Sequence, residues 1–459
     1  MTSFAGIFLP AALREAVADE AWLEAMLEAE RALAAAEAAA GVIPAEAATA
    51  IAAGCDPSLY DVEELAEQGR AVGNPAEPLV RALREQVGEE AASFVHRGAT
   101  SQDVVDTAAM LVAHTAAGLV LDDLDAVARA CAFLAEVHRD TAMAGRTLLQ
   151  QAVPTTFGLK AAVWLDGILD AQQGLARIRD DRLAVQLGGA AGTLSVLGDA
   201  GPEVLRLYAA ELGLAEPDVP WHANRSRIGE LAAALQLAAG AAAKIALDIV
   251  LLAQSEVGEV AEAEGGGSST MPHKRNPARS AIAIACARQA SGHASVLLGG
   301  LAQEHERGAG GWQAEWGALS GLLGCAGGAV AAVQEALDGL EVDFARMEQN
   351  LEASGGLVLA ERLSGQLARR LGAEEAHALL ADAAVEAAGA GDSLREILAA
   401  RADLGFSEAE LDELLDPETY LGAAGVFVDR VLERWRGPDE DDEEDWEDGE
   451  DGEDGEDEA

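Results

Sequence analysis

Apolar residues recur with a helical period along most of the chain. Between residues 17 and 40, Trp22, Leu23, Met26, Leu27 and Leu33 share one broad side; Gly41 then stops the pattern and Pro44 suits the start of another helix. Longer stretches of the same kind span residues 103–137, 156–187, 228–260, 277–301 and 312–340. The 228–260 stretch contains no Pro and would reach roughly 50 Å as one helix. Helices of this length need partners on several sides, so the pattern predicts an all-α fold built on a central long-helix bundle and assembled as an oligomer. The predicted division is an N-terminal helical domain (1–103), a central bundle domain (104–358), a C-terminal helical domain (359–436) and a tail (437–459). Residues 316–334 carry no charge, but they are rich in Gly and Ala, with three Leu. They read as a buried helix in which Gly317/Gly321 and Gly324/Gly328 admit a close neighbour, not as a membrane span.

Composition sharpens this picture. Half of the 459 residues are apolar and only 4% are aromatic, which favours helices over sheets. The net charge of −49 excludes nucleic acid as a main partner. From Gly437 onward the chain holds 16 acids and no base, and is expected to be solvated and disordered. Cys55, Cys131, Cys286 and Cys325 form no CxxC pair and read as reduced thiols, and the N-terminus lacks the basic start of a signal peptide. A cytoplasmic location is the expectation.

The placement of charge is more informative than its sum. Residues 265–303 contain no Asp or Glu, yet include His273, Lys274, Arg275, Arg279, Arg288 and His293. Shorter acid-free islands cover 91–102 (with His96 and Arg97), 141–165 (with Arg146 and Lys160) and 219–229 (with His222, Arg225 and Arg227). An acidic protein that takes a polyanionic small molecule must keep its own acids out of the site, so convergence of these islands would build one. Only three lysines occur, Lys160, Lys244 and Lys274, against 28 arginines, which singles out the Lys in the Gly-Ser loop. No His cluster has metal-ligand spacing.

The segment Gly265-Gly-Gly-Ser-Ser-Thr-Met-Pro-His-Lys-Arg-Asn-Pro277 closely resembles the GSSxMPxKxNP signature of the fumarase/aspartase superfamily. His96-Arg-Gly-Ala-Thr-Ser-Gln-Asp103 and residues 145–158 resemble its other two characteristic regions, and the resemblance covers about residues 1–436. It implies an all-α, three-domain fold, a homotetramer formed through the central bundle, and active sites shared between subunits. Within the superfamily, residues 221–228, 254–259 and above all Gln303-Glu-His-Glu-Arg-Gly-Ala-Gly-Gly-Trp-Gln-Ala-Glu-Trp316 are similar to the 3-carboxy-cis,cis-muconate cycloisomerases. Adenylosuccinate lyases, the alternative, usually carry His where this chain has Leu148 and a second His upstream, near residues 73–78, where it has none. A structural, non-enzymatic member is a further alternative, opposed by the intact Ser268, Lys274 and Asn276.

The resemblance implies reversible closure of a tricarboxylate, 3-carboxy-cis,cis-muconate, to 4-carboxymuconolactone in protocatechuate (β-ketoadipate) catabolism, without a cofactor. Such chemistry needs an anion cradle, stabilisation of an enolate-like intermediate and a general acid/base. Ser268 is the expected acid/base, with Ser269 the weaker candidate. Lys274 and Asn276 are expected to bind a carboxylate, helped by free N–H groups at the helix start after Pro277. Thr100 and Ser101 offer hydroxyls at a helix start that Asp103 can cap. His96 would orient or protonate substrate, Thr147 and Gln150 would hydrogen-bond it, and His305 and Arg307 come from the most cycloisomerase-like segment. Arg307 is read as a carboxylate ligand or as an ion-pair partner of Glu304 or Glu306.

Overall fold

The computed structural model describes residues 4–263, 266–267, 271, 274–390, 393–401 and 404–437. Ser268, Ser269 and His273, and all of the acidic tail beyond Gly437, lie outside the described residues. The chain forms two compact units. One comprises Met1–Val127, Asp170–Leu251 and Glu262–Leu340; the other comprises Ala128–Leu169, Leu252–Ala261 and Glu341–Ala459.

The expected helices are present: α1 (Asp19–Ala39), α2 (Ser101–Val137), α3 (Phe157–Asp181), α4 (Ser226–Leu252), α5 (Ala278–Gly299) and α6 (Gly311–Leu337). Of these, α2, α3 and, by its last residue Leu252, α4 contribute residues to both units. The fourth is shorter than its pattern predicted. Val257 and Gly258 turn back to the Gln254 carbonyl, and Gly258 takes φ 64°, so apolar spacing continues past Leu252 while the helix does not.

In the first unit, α5 and α6 form a helical hairpin. Small residues on α6 admit close neighbours there. A Cβ at Gly324 would press on Leu9, and one at Gly328 would strike the Phe8 carbonyl, whereas Gly317 faces open space, contrary to the spacing argument. By length and composition alone, α2, α4 and α6 could each cross a membrane. In α2 and α6 most of the apolar stretch is buried inside the protein. In α4 less than half is, leaving Leu237 and Leu247 exposed.

The second unit contains a hairpin between the predicted helical stretches 103–137 and 156–187, where the all-α reading named no element. Strands β1 (Ala142–Thr147) and β2 (Gln150–Thr156) pair antiparallel with an irregularity between Ala144 and Arg146. Val260–Ala261 also pair antiparallel with Glu341–Val342, and most of the remainder is helical, with Leu363, Leu367, Ala376, Ala383, Leu394 and Leu411 buried at its centre. Two of its short helices begin with reciprocal capping boxes, Ser393/Glu396 and Ser407/Glu410, which explains how such short segments hold their ends. The four cysteines are free, and burial pushes the thiols of Cys55 and Cys286 up to about 12.

Candidate active site

The start of α2 organises the first unit's candidate site. Asp103 sits at the third position of the helix, where its carboxylate accepts from the Thr100 N–H at 2.9 Å, as a helix-capping acid does. Capping is the smaller part of its role. The same buried carboxylate accepts from Gly188 N at 3.0 Å and Gly189 N at 2.9 Å, and meets His222 Nε2 at 2.6 Å. Gln102 donates to the His222 carbonyl, Trp221 N–H to Gln186, and the Trp221 indole to the Val185 carbonyl. The 91–102 and 219–229 islands therefore do converge.

Onto this corner folds the loop between α5 and α6. Arg307 donates from one guanidinium nitrogen to Thr100 Oγ1 and to the Gly189 carbonyl at 3.2 Å. Its Nε is buried without a partner among the described residues. The ion pair with Glu304 or Glu306 does not form. Glu304 caps its own loop through the Ala309 N–H. His305 has φ 47° and faces solvent, outside this network. Ser101 opens α2 and is half-buried beside Thr100.

Within the Gly-rich signature, β3 (Gly266–Gly267) pairs antiparallel with β4 (Arg275–Asn276), with Gly266 opposite Asn276 and Gly267 opposite Arg275. This ladder presents Lys274, exposed, at its end and leaves Asn276 half-buried. One expectation here is overturned. The N–H groups at the start of α5 are not free for a substrate carboxylate, because Glu262 occupies them. It accepts from Arg279 N at 3.0 Å, Ser280 N at 2.9 Å and Ser280 Oγ at 2.7 Å. The helix dipole and three donors hold an internal carboxylate where an external one was anticipated.

Two arginines of the acid-free islands are likewise committed to the fold. Arg225, 1% exposed, bridges Asp106 at 2.8 and 2.9 Å and Glu315 at 2.5 Å, with Trp221 beneath it at 4.7 Å. Burial opposes its charge, but the two carboxylates outweigh that and raise its pKa. Glu315 is pushed up by burial against the pull of Arg225. In the second unit Arg146 makes a two-pronged pair with fully buried Glu259 at 2.9 and 2.7 Å. Thr147 and Gln150 flank the two-residue turn of the β1–β2 hairpin and are exposed. The turn residues, Leu148 and Leu149, take φ 50° and 64°, values normally left to Asn and Gly, and both side chains point into solvent. Among the described residues no group of His, Cys, Asp and Glu is placed to hold a metal ion.

Asp103 and its partners were not separable from ordinary capping in the sequence, since Gly188, Gly189 and His222 lie far away along the chain. Asp103→Asn is expected to lose about 3 kcal/mol, because one amide oxygen replaces two acceptors for four donors and an NH2 group faces a backbone N–H. Urea denaturation measures this; a change below 1 kcal/mol would contradict the role assigned to Asp103.

A long-helix core, a hydroxyl-bearing helix start clamped by an arginine, and a Gly-Ser loop ending in Lys and Asn define a lyase of the fumarase/aspartase type. The chain belongs to that superfamily: the family described as "Lyase" matches residues 11–292, and "Adenylosuccinate lyase C-terminus" matches residues 356–431. It is 45% identical over 431 residues to the 3-carboxy-cis,cis-muconate cycloisomerase of Bradyrhizobium diazoefficiens, covering 92% of this chain and 96% of that one. It is 46% identical over 440 residues to the nitrosuccinate lyase of Streptomyces davaonensis, with 92% of each chain covered. The crystal structure of the 3-carboxy-cis,cis-muconate lactonizing enzyme from Pseudomonas putida superposes with a TM-score of 0.88 at 42% identity, over 94% of this chain and 98% of that one. These likenesses favour the cycloisomerase expectation over adenylosuccinate lyase.

Proposed function

We propose that this protein interconverts 3-carboxy-cis,cis-muconate and 4-carboxymuconolactone, a step of protocatechuate catabolism. One carboxylate oxygen of the substrate adds across the conjugated double bond, and a proton is delivered to the carbon beside another carboxylate. The observation that carries this reading is the bond from Arg307, in the most cycloisomerase-like segment, to Thr100 of the first signature region. It puts a cation beside a hydroxyl at a helix start, where a tricarboxylate needs both. Ser268 serves as acid/base, Lys274 and Asn276 hold a carboxylate and the enolate-like oxygens, His96 orients or protonates the substrate, and Ser101, Thr147, Gln150 and His305 complete the set. Serine is a poor base alone and needs positive charge and N–H donors near it to act as one.

The enzyme works as a homotetramer in this reading, with the three-domain division at residues 103 and 358, and in the cytoplasm. The exposed Leu237 and Leu247 of α4 support burial of that helix against other copies. A second reading rests on the equal identity to nitrosuccinate lyase. Elimination from nitrosuccinate uses the same proton abstraction beside a carboxylate, with nitrite leaving. The deciding assay follows loss of diene absorbance with 3-carboxy-cis,cis-muconate, with parallel reactions on nitrosuccinate (nitrite release) and adenylosuccinate. Diene loss alone is the expected result. Nitrite release with muconate untouched would transfer the site to the second reading.

A further inference from the structure

Two acids of α1, seven residues apart and so on one helix face, are buried: Glu37 at 0% and Glu30 at 1% exposure. Buried carboxylates are rare unless paired. Glu30 is paired: its Oε1 lies 2.5 Å from His96 Nδ1, while its Oε2 has no partner. Neither oxygen of Glu37 has a hydrogen-bond partner, and the neighbouring Arg97 Nε is buried and unsatisfied as well. His96 takes φ 61°, a strained backbone for a non-glycine residue, and in that conformation its ring meets α1. The five-membered ring has two nitrogens. With Nδ1 spent on Glu30, Nε2 is the one left for a ligand, and among the described residues nothing is bonded to it.

We propose that Glu30 is the positioning residue for His96, fixing its ring orientation and its positive charge, and that Glu37 keeps the buried acid pair singly ionised by holding a proton. This rests on His96 belonging to the site as read above, but its test does not require the substrate to be known. Burial opposes charge on His96, and Glu30 outweighs it, holding the imidazole above its ordinary pKa. Asp103 adds to this from α2, and Arg84 opposes it. Burial lifts the Glu37 carboxyl to about 8, with Glu30 adding and Arg97 opposing. The other groups facing Glu30 are the Cys55 thiol and the Tyr208 hydroxyl, both held protonated by burial. Glu28 and Arg31 neutralise one another on the same helix.

The experiment is an NMR pH titration of histidine ring signals in the full-length protein, with His96 assigned by His96→Gln. In wild type, His96 is expected to remain protonated above pH 7. In Glu30→Gln its acid dissociation constant is expected to rise at least tenfold, and the alkaline limb of kcat/KM to move to lower pH with it. Glu37→Gln is expected to remove a perturbation of the His96 signal that wild type shows near pH 8. An unchanged His96 titration in Glu30→Gln would reduce Glu30 to a structural contact and overturn the proposal. If that variant does not fold, the wild-type curve decides: His96 titrating at or below the usual imidazole value overturns it equally. Failure of the muconate assay alone leaves these titrations readable, so the two readings fail separately.

Discussion

Ser268→Ala is expected to fold and assemble like wild type and to lose about 10²–10⁴-fold in kcat, the range that a positioned acid/base contributes. Two parts of the site support this. The ladder that brackets residue 268 is built from backbone pairs, Gly266 with Asn276 and Gly267 with Arg275, so truncating a neighbouring side chain removes none of its bonds. The helix after the loop is anchored independently, through Glu262 on its first N–H groups. Loss of turnover in this variant is therefore attributable to the missing hydroxyl. Light scattering checks assembly and steady-state kinetics checks turnover. Near-wild-type kcat would take Ser268 out of the mechanism and turn attention to Ser269.

Arg225→Met is expected to cost about 3–5 kcal/mol of stability, a large share of the roughly 5–15 kcal/mol that a folded domain has. The substitution keeps the volume over Trp221 but leaves Asp106 and Glu315 buried together without their shared cation. Their remaining partners are neutral donors: Trp312 Nε1 at 3.0 Å, Gln102 at 3.2 Å and Gln186 at 3.4 Å to Asp106, and Gln303 to Glu315 at 2.8 Å. The deficit has a pH signature. In the variant Glu315 loses the cation that opposes the effect of its burial, so its native-state pKa rises further above that of the unfolded chain; unfolding then releases a proton and stability falls as pH rises from the ordinary carboxyl range. Thermal melts at pH 5 and pH 8 test the sign: the gap to wild type should be wider at pH 8. A gap independent of pH would show that lost packing, not stranded charge, is the cause.

Much of the fold was legible because helix formation leaves a local trace. The stretches at 277–301 and 312–340 appear as α5 and α6 with ends displaced by a few residues. The hairpin at 142–156 was missed for an equally local reason. Its turn is Leu148-Leu149, with none of the Asn-Gly or Asp-Gly chemistry that ordinarily announces two consecutive positive φ angles. Charge was legible only in part. Absence of acids within a window says nothing of acids brought in from elsewhere: Glu259 comes to Arg146 across 113 residues, and Glu315 to Arg225 across 90. Glu262 stands just before the 265–303 window and reaches into it. By contrast, Arg307 and Thr100, 207 residues apart, were each legible as site candidates, and the fold joins them directly.

Asp103 also bears on how the chain reaches its native state. Its bonds close segments of 85, 86 and 119 residues, far longer than any helical contact. Closure of such loops loses chain entropy before the contacts form to compensate it, so these bonds belong to the slow, late part of folding. Helices α1 and α2 can gain their local structure as soon as they are synthesised. The corner that holds Thr100 waits until residue 222 exists and has come back to meet α2. Until then the helix start has its hydroxyls but not the knot that fixes them, and a chain arrested before that point would be well supplied with helix and devoid of a site.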